Sequence, residues 1–259
     1  MLEQITPLIL TYNEAPNINR TLQKLTWAKR IVIIDSFSDD DTLEIVNTYP
    51  QVEVFQRKFS SFADQCNFGL DKIMTEWVLS LDADYILTNS LVEEFKQIPS
   101  DSNINGYKVL FKYCVFGKPL RGTLLPPRYV LYRPKLAHYE DDGHAHRVNI
   151  SGEKSQLSGF IYHDDRKLLS RWLWAQDRYM IIEAKKLRET SLNQLSWGDK
   201  IRKQKIIAPF IILIYCLIFK GGILEGWRGW YYALQRIFAE TLLSIRLIEL
   251  EVNGDENDL

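Results

Sequence analysis

Short apolar runs alternate with segments of helical period through the first hundred residues. ITPLILTY, RIVIIDS, VEVFQRK and WVLSLDADY are nearly continuous in aliphatic or aromatic residues. Between them, NEAPNINRTLQKLTW places Ile18, Leu22 and Leu25 on one helical face, SDDDTLEIVNTYP opens on acids, and FADQCNFGLDKIMTE reads as a further helix. Strands separated by helices predict βαβ units and a parallel sheet. Uninterrupted apolar runs suit strands covered on both faces. SLVEEFKQI adds a helix after the fourth strand.

From Gly106 the pattern changes. YKVLFKYCVFG and YVLYRPKLAHY read as longer, aromatic-rich strands that extend the sheet antiparallel, separated by KPLRGTLLPPR. Asp165 to Leu195 is helical and charged, and residues 206–219, IIAPFIILIYCLIF, run fourteen positions without a charge. The expected organisation is a catalytic domain over 1–165, a helical region over 166–250 and an acidic tail over 251–259.

Composition narrows the class. A chain of 259 residues with 46% hydrophobic content buries a real core, and a net charge of −1 offers no general attraction to nucleic acid. Cys66, Cys114 and Cys216 are far apart and lack metal-ligand spacing, which predicts reduced thiols in a cytosolic setting. MLEQITPLIL has no basic region or cleavage site of a signal peptide.

Chemistry-bearing residues collect at the carboxyl ends of the predicted strands, where open α/β sheets bind ligands. Thr11, Asn13 and Glu14 follow the first strand, Asp35 ends the second, Arg57 the third, and Asp82-Ala83-Asp84 the fourth. On local pattern alone D-x-D is a turn or a ligand pair. If the strand continues, Asp82 and Asp84 point to one side, and two such anions repel unless a cation lies between them. Mg²⁺ is typically held by one or two carboxylates plus substrate phosphates. No G-x-G-x-x-G or G-x-x-x-x-G-K-S/T loop is present, which disfavours dinucleotide and P-loop sites.

PLILTYNEAPNINRTL, IVIIDSFSDDDTLEIV, FADQCNFGLDKI and LSLDADY, in this order and spacing, resemble the inverting family 2 glycosyltransferases. The nearest subgroup in appearance is the small lipopolysaccharide inner-core β-glucosyltransferases. The resemblance covers roughly residues 4–165. It implies an α/β, A-type glycosyltransferase fold (GT-A, Rossmann-like), a mixed sheet flanked by helices. It also implies a nucleotide-diphospho-sugar donor, a UDP-sugar first, and a lipid-linked or cell-envelope glycan acceptor. Thr11, Asn13, Glu14, Asp35 and Asp82 would then line the nucleotide, with Arg57 and Asn67 as further contacts. Asp82, Asp84 and His163 would hold Mg²⁺ or Mn²⁺ against the diphosphate.

Direct displacement needs a base for the acceptor hydroxyl. HYEDDGHAHRV, residues 138–148, is dense in suitable groups: Asp142 first, then Asp141, then His146, which stands where related enzymes often have Glu. That departure keeps a non-catalytic sugar-nucleotide-binding or scaffold protein as the alternative. A nucleotidyltransferase is disfavoured because LTYNEAPNI lacks a Gly-rich, basic run.

Residues 206–219 are too short to span a bilayer, which takes about 20 apolar residues. Lys200, Arg202, Lys203 and Lys205 precede them, and Trp227, Trp230, Tyr231 and Tyr232 follow. This arrangement predicts a protein lying at the inner face of the cell membrane, with burial in a homo-oligomer as the competing use of the same surface.

Overall fold

β1 (Ile5–Thr11), β2 (Ile31–Asp35), β3 (Val52–Gln56) and β4 (Trp77–Asp82) form on the four apolar runs. They pair in parallel in the order β3-β2-β1-β4. The structure, a computed structural model, describes residues 1–142 and 145–252, with the side chains of Asp142, Ala145 and His146 outside the described set. The expected acidic tail, from residue 253 on, also lies outside it.

Short helices connect these strands. α1 (Ile18–Leu22) and α2 (Thr42–Val46) are single turns, and α3 (Phe62–Leu70) is capped by Ser61, whose hydroxyl accepts from Asp64 N. α1 is shorter than the apolar period predicts, and the chain turns before it at Asn13, whose φ is 57°. Its face is nonetheless the predicted one: Ile18, Leu22 and Leu25 are fully buried. α3 lies close on the sheet because residue 69 has no side chain. A Cβ there would stand 2.6 Å from Leu8 Cδ1 on β1 and 3.2 Å from Ile34 Cγ1 on β2.

At Asp82-Ala83-Asp84 the chain takes the turn that the local pattern allowed, not the continued strand. β4 ends at Asp82, the chain turns, and β5 (Tyr85–Leu87) leaves for the opposite edge of the sheet. Asp82 and Asp84 are therefore separated by a turn, and strand alternation does not set their directions. Asp164 N fixes the turn by donating to Asp84 O at 3.0 Å.

α4 (Asn89–Gln97), β6 (Gly106–Val115), the two-residue β7 (Lys118–Pro119) and β8 (Arg128–Tyr132) follow. YVLYRPKLAHY is not one strand. Pro134 opens a 3₁₀ turn after β8, and β9 (Ala137–Asp142) pairs with β10 (Ala145–Ile150) in a ribbon of its own. β11 (Lys154–His163) returns to the main sheet, parallel to β6 and antiparallel to β5. β8 runs antiparallel between β4 and β6, so the sheet is mixed, in the order β3-β2-β1-β4-β8-β6-β11-β5.

The chain divides into two units, Met1–Pro119 with Leu125–Lys167, and Leu120–Leu124 with Leu168–Leu259. The second unit contains α5 (Leu169–Glu189), α6 (Trp197–Arg202), α7 (Ala208–Ile214) and α8 (Trp227–Val252). Its core is Met180, Ala184, Leu187, Leu195, Leu243 and Leu247. Leu120–Leu124 belongs to it through Leu124 N, which donates to the Tyr232 hydroxyl at 3.0 Å. No helix among the described residues is long and apolar enough to cross a membrane.

Seating of α3 on β1 is directly testable. Gly69→Val must displace Leu8, and forcing extra carbons into a packed core costs about 1–3 kcal/mol. Urea unfolding is expected to show that loss; an unchanged midpoint would mean that α3 does not sit against β1.

Candidate active site

Asp35 organises the carboxyl ends of the parallel strands. It is fully buried, and Thr11 Oγ1 (2.8 Å) and Ser38 Oγ (2.6 Å) donate to its Oδ1. Ser38 N (2.9 Å) and Gln56 Nε2 (3.3 Å) donate to its Oδ2. A buried carboxylate is tolerable only when so satisfied. Asp35 thus ties the ends of β1, β2 and β3 together, and Thr11 is one of its donors.

The loop after β1 is held by its neighbour after β2. Asn13 Nδ2 donates to Asp39 Oδ1 at 2.6 Å, and Asp39 N returns a bond to Asn13 Oδ1 at 3.0 Å. Glu14 N donates to Thr42 Oγ1 and Ala15 N to Asp40 Oδ2. The acidic run SDDD, which reads as a helix start, is spent largely on fixing this loop.

Glu14 points into a charged cluster. Lys167 Nζ lies 2.6 Å from Glu14 Oε1, and Asn17 Nδ2 donates to Glu14 Oε2 (3.0 Å) and to Asp165 Oδ1 (2.8 Å). Burial pushes the Glu14 carboxyl up to about 7, with Lys167 opposing and Asp84 adding to the rise. Burial alone would lower Lys167, but Glu14, Asp165 and Asp84 outweigh it and hold the ammonium above its ordinary range.

Asp84 is buried, 7% exposed, and its Oδ2 lies 3.0 Å from His163 Nε2. Burial would lower the imidazole pKa, yet the charge and hydrogen bond of Asp84, with Asp82 and Asp165 behind it, raise it. Asp84 Oδ1 and His163 Nδ1 are buried without a hydrogen-bond partner. An orphaned carboxylate oxygen is a costly feature in a folded chain, and a hard cation satisfies it. The orphaned oxygen of Asp84 therefore suits a divalent ion. Among the described residues no group of three or more His, Cys, Asp or Glu is arranged to hold a metal. Remaining ligands would come from substrate oxygens, the usual situation for Mg²⁺.

Other predicted residues have protein partners. Arg57 Nη1 donates to Asp64 O at 2.7 Å and its guanidinium lies 4.9 Å over Phe68. Asn67 clamps β9, donating through Nδ2 to Tyr139 O (3.0 Å) and accepting from Tyr139 N (2.9 Å). Asp141 Oδ1 accepts from Ala63 N at 3.2 Å, in the first turn of α3. The Asp142 and His146 side chains lie outside the described residues.

Sequence reasoning missed Asn17, Arg20, Asp164 and Lys167. Arg20 Nη1 lies 2.7 Å from Asp164 Oδ2, and Asn17 Oδ1 accepts from Arg20 Nη2 and Arg166 N. The signal was the i,i+3 spacing of Asn17 and Arg20 and the alternating charges of HDDRK, residues 163–167.

Residues 8–113 match Glycosyl transferase family 2. The match spans β1 through most of β6 and includes Asp35, Asp82 and Asp84. An uncharacterized glycosyltransferase of Rickettsia prowazekii (strain Madrid E) is 25% identical, over 98% of this chain and 89% of its own. The lipopolysaccharide core biosynthesis glycosyltransferase LpsC of Rhizobium meliloti (strain 1021) is 22% identical, over 86% and 83%. Among solved structures, the mannosyltransferase PcManGT from Pyrobaculum calidifontis, in complex with GDP-Man and Mn²⁺, superposes with a TM-score of 0.53. It is 13% identical, over 99% of this chain and 89% of its own, a likeness of fold.

Glu14 gives the matched region a pH signature. A carboxyl titrating near 7 when folded and near 4.5 when unfolded keeps, between those values, a proton that the unfolded chain has lost. Its contribution is present below about 4.5 and lost as pH rises through 7. Wild-type stability relative to Glu14→Gln should therefore fall from pH 5 to pH 8 in urea titrations. A parallel pair of curves would show that Glu14 ionises normally.

Proposed function

We propose that the chain is an inverting glycosyltransferase. It transfers a sugar from a nucleotide-diphospho-sugar, a UDP-sugar first, to a lipid-linked or cell-envelope glycan. The observation that carries this reading is Asp84, buried with an orphaned oxygen at the carboxyl end of β4, inside a region that matches family 2. Asp82 and Asp84 would hold Mg²⁺ or Mn²⁺. The ion would supply positive charge to the leaving diphosphate.

The chain's own residues do the rest. Asp35 positions the nucleotide loops instead of reaching out, since four donors already occupy it. Thr11, Asn13 and Glu14 form the wall that such a fold turns to base and ribose. Lys167 supplies fixed positive charge beside Asp165 and Glu14. His163 orients Asp84 through its 3.0 Å contact. With Asp141 engaged by Ala63 N, Asp142 is the base that takes the acceptor proton, and His146 the alternative.

Thermal-shift screening of UDP-, GDP-, ADP- and CMP-sugars with Mn²⁺, followed by a donor-turnover assay, tests the reading. Asp84→Asn keeps shape and loses charge, so metal-dependent nucleotide affinity should disappear while the melting transition persists. Asp142→Asn should lower turnover by roughly 10²–10⁴ with donor affinity little changed. Undiminished metal-dependent binding in Asp84→Asn sinks the metal assignment; an active Asp142→Asn beside a dead His146→Ala makes His146 the base.

We further propose that the second unit rests on the membrane surface, for a reason that differs in part from the sequence argument. Most of the basic cluster has partners: Arg202 pairs with Glu183 and Glu240, Lys205 with Glu251, and Lys203 Nζ donates to Thr190 O. What supports lipid contact is the apolar face instead. Ile207, Ile211, Ile214 and Ile218 recur at helical spacing and are exposed, Ile218 at 62%, with Leu224 at 74% and Trp227 and Trp230 nearby. Sedimentation with anionic vesicles is expected, and Ile214→Ser with Ile218→Ser and Leu224→Ser should abolish it. A lipid-independent oligomer that buries this face would replace the membrane with a second copy.

A further inference from the structure

α8 is the longest helix of the second unit, 26 residues or about 39 Å. It carries two apolar faces. One, with Ala239, Leu243 and Leu247, is buried in the unit's own core. The other begins at Trp227 and recurs in alternating steps of four and three residues as far as Val252, with Thr241 as its one polar member. Every position on it is exposed except the half-buried Tyr231. An apolar repeat of seven sustained along a whole helix is the pattern by which one helix packs lengthwise on another, because it keeps the same edge toward the partner.

The stripe is graded in size. Its first half holds the bulky Trp227, Tyr231, Leu234 and Phe238; its second half holds the smaller Thr241, Ile245, Ile248 and Val252. Ile245, Ile248, Glu249 and Val252 also line an open, almost wholly apolar groove of about 290 Å³. Laid antiparallel about a two-fold axis midway between Ala239 and Glu240, two such helices match each bulky side chain with a small one. Trp227 meets Val252 of the second copy, Leu234 meets Ile245, and Phe238 meets Thr241. Trp227 and Tyr231 of one copy then lie over the groove of the other. A parallel pair would instead stack Trp on Trp at one end and leave Thr against Thr at the middle, overpacked and underpacked in turn.

Charge points the same way. Arg228, its guanidinium 4.6 Å from the Trp227 ring centroid, flanks the first layer, and Glu249 and Glu251 flank the last. Antiparallel packing brings these opposite charges together at both ends, whereas parallel packing sets like charges side by side. Glu249 already pairs with Arg246 and Glu251 with Lys205, so the ends select orientation more than they add affinity. Residues 253–259, NGDENDL, have a single aliphatic side chain and are too polar to cover the stripe themselves.

We propose that α8 is the seam of a homodimer, with a second copy of this chain packing its own α8 antiparallel along the stripe. Such a two-fold interface is self-complementary, the same patch serving both subunits. It is independent of the glycosyltransferase reading. Of the residues proposed above to meet lipid it claims only Trp227, and none of the isoleucines of residues 207–218.

The test is sedimentation velocity of the full chain in buffer without lipid or detergent, over about a hundredfold range of concentration. A dimer in reversible exchange with monomer is expected. Leu234→Lys puts two charges per dimer into the seam and should weaken association by at least about a hundredfold. Its helical spectrum and melting transition should persist, because Leu234 is exposed in the single chain. Ile214→Ser with Ile218→Ser should leave the dimer intact. Orientation is read by disulfide cross-linking with diamide, since the native Cys66, Cys114 and Cys216 are all buried. A tagged Leu234→Cys chain mixed with an untagged Ile245→Cys chain should form a mixed disulfide, and Leu234→Cys alone should not link to itself. Should Leu234→Lys fail to fold, this cross-link decides in its place. A monomer at every concentration overturns the proposal, as does a dimer lost in Ile214→Ser with Ile218→Ser. Leu234→Cys linking to itself also overturns it, since that requires a parallel pair. Monomers that gather only on anionic vesicles, and lose that binding in Leu234→Lys, give the stripe to lipid and overturn it too.

Discussion

Asp164 is the joint on which the site depends. It is buried, its Oδ2 lies 2.7 Å from Arg20, and its Oδ1 accepts from Gly117 N (3.1 Å) and Arg166 Nε (2.9 Å). Its backbone N–H closes the Asp84 turn. One carboxylate therefore links α1, the turn after β6, the end of β11 and the acid that ends in the candidate metal site. Such a group is stable only while its donors remain, and removing one partner of a buried pair is strongly destabilising, by about 3–5 kcal/mol. The geometry of Asp84 is thus set by residues more than sixty positions away in either direction.

Around that joint the charges are left deliberately unbalanced. Glu14 is pushed up toward neutrality by burial, Lys167 and His163 are held more basic by the surrounding acids, and Asp84 keeps an oxygen with no donor. A stability-optimised interior would pair that oxygen. Leaving it open makes sense where a ligand completes the set, and local frustration of this kind concentrates at functional sites. On the other side of Asp82 the described residues around a cavity include Lys108, Arg128, Arg147 and Lys154.

The parallel half of the sheet was legible because its strands are covered on both faces and read as unbroken apolar runs. The motif order around Asp35 and Asp82 carried the family resemblance for the same reason. Legibility failed where geometry depends on distant partners. The local D-x-D pattern allowed a turn but could not decide for it, since the bond that fixes the turn comes from residue 164. Pro134 was a local signal for breaking YVLYRPKLAHY, and the alternating aromatics outweighed it. Asn67 and Arg57 stood as ligand contacts on the family resemblance; only the fold shows that Tyr139 and Asp64 already use them. Leu120–Leu124 joins the second unit through a tyrosine more than a hundred residues later, beyond any pattern argument.

The second unit inverts the usual distribution of polarity. Glu183 and Glu240, 3% and 4% exposed, are buried with Arg202 among its helices, while isoleucines along residues 207–218 face outward. Buried ion pairs seldom stabilise more than apolar packing would, so their use here is better understood as fixing which helix faces meet. Each exposed aliphatic side chain forgoes roughly 1.5–3 kcal/mol that burial would return. A chain with enough apolar residues to cover its own acids, and which instead turns them outward, has a surface matched to something other than water. The membrane surface proposed above would meet that requirement along the outward-facing isoleucines of residues 207–218.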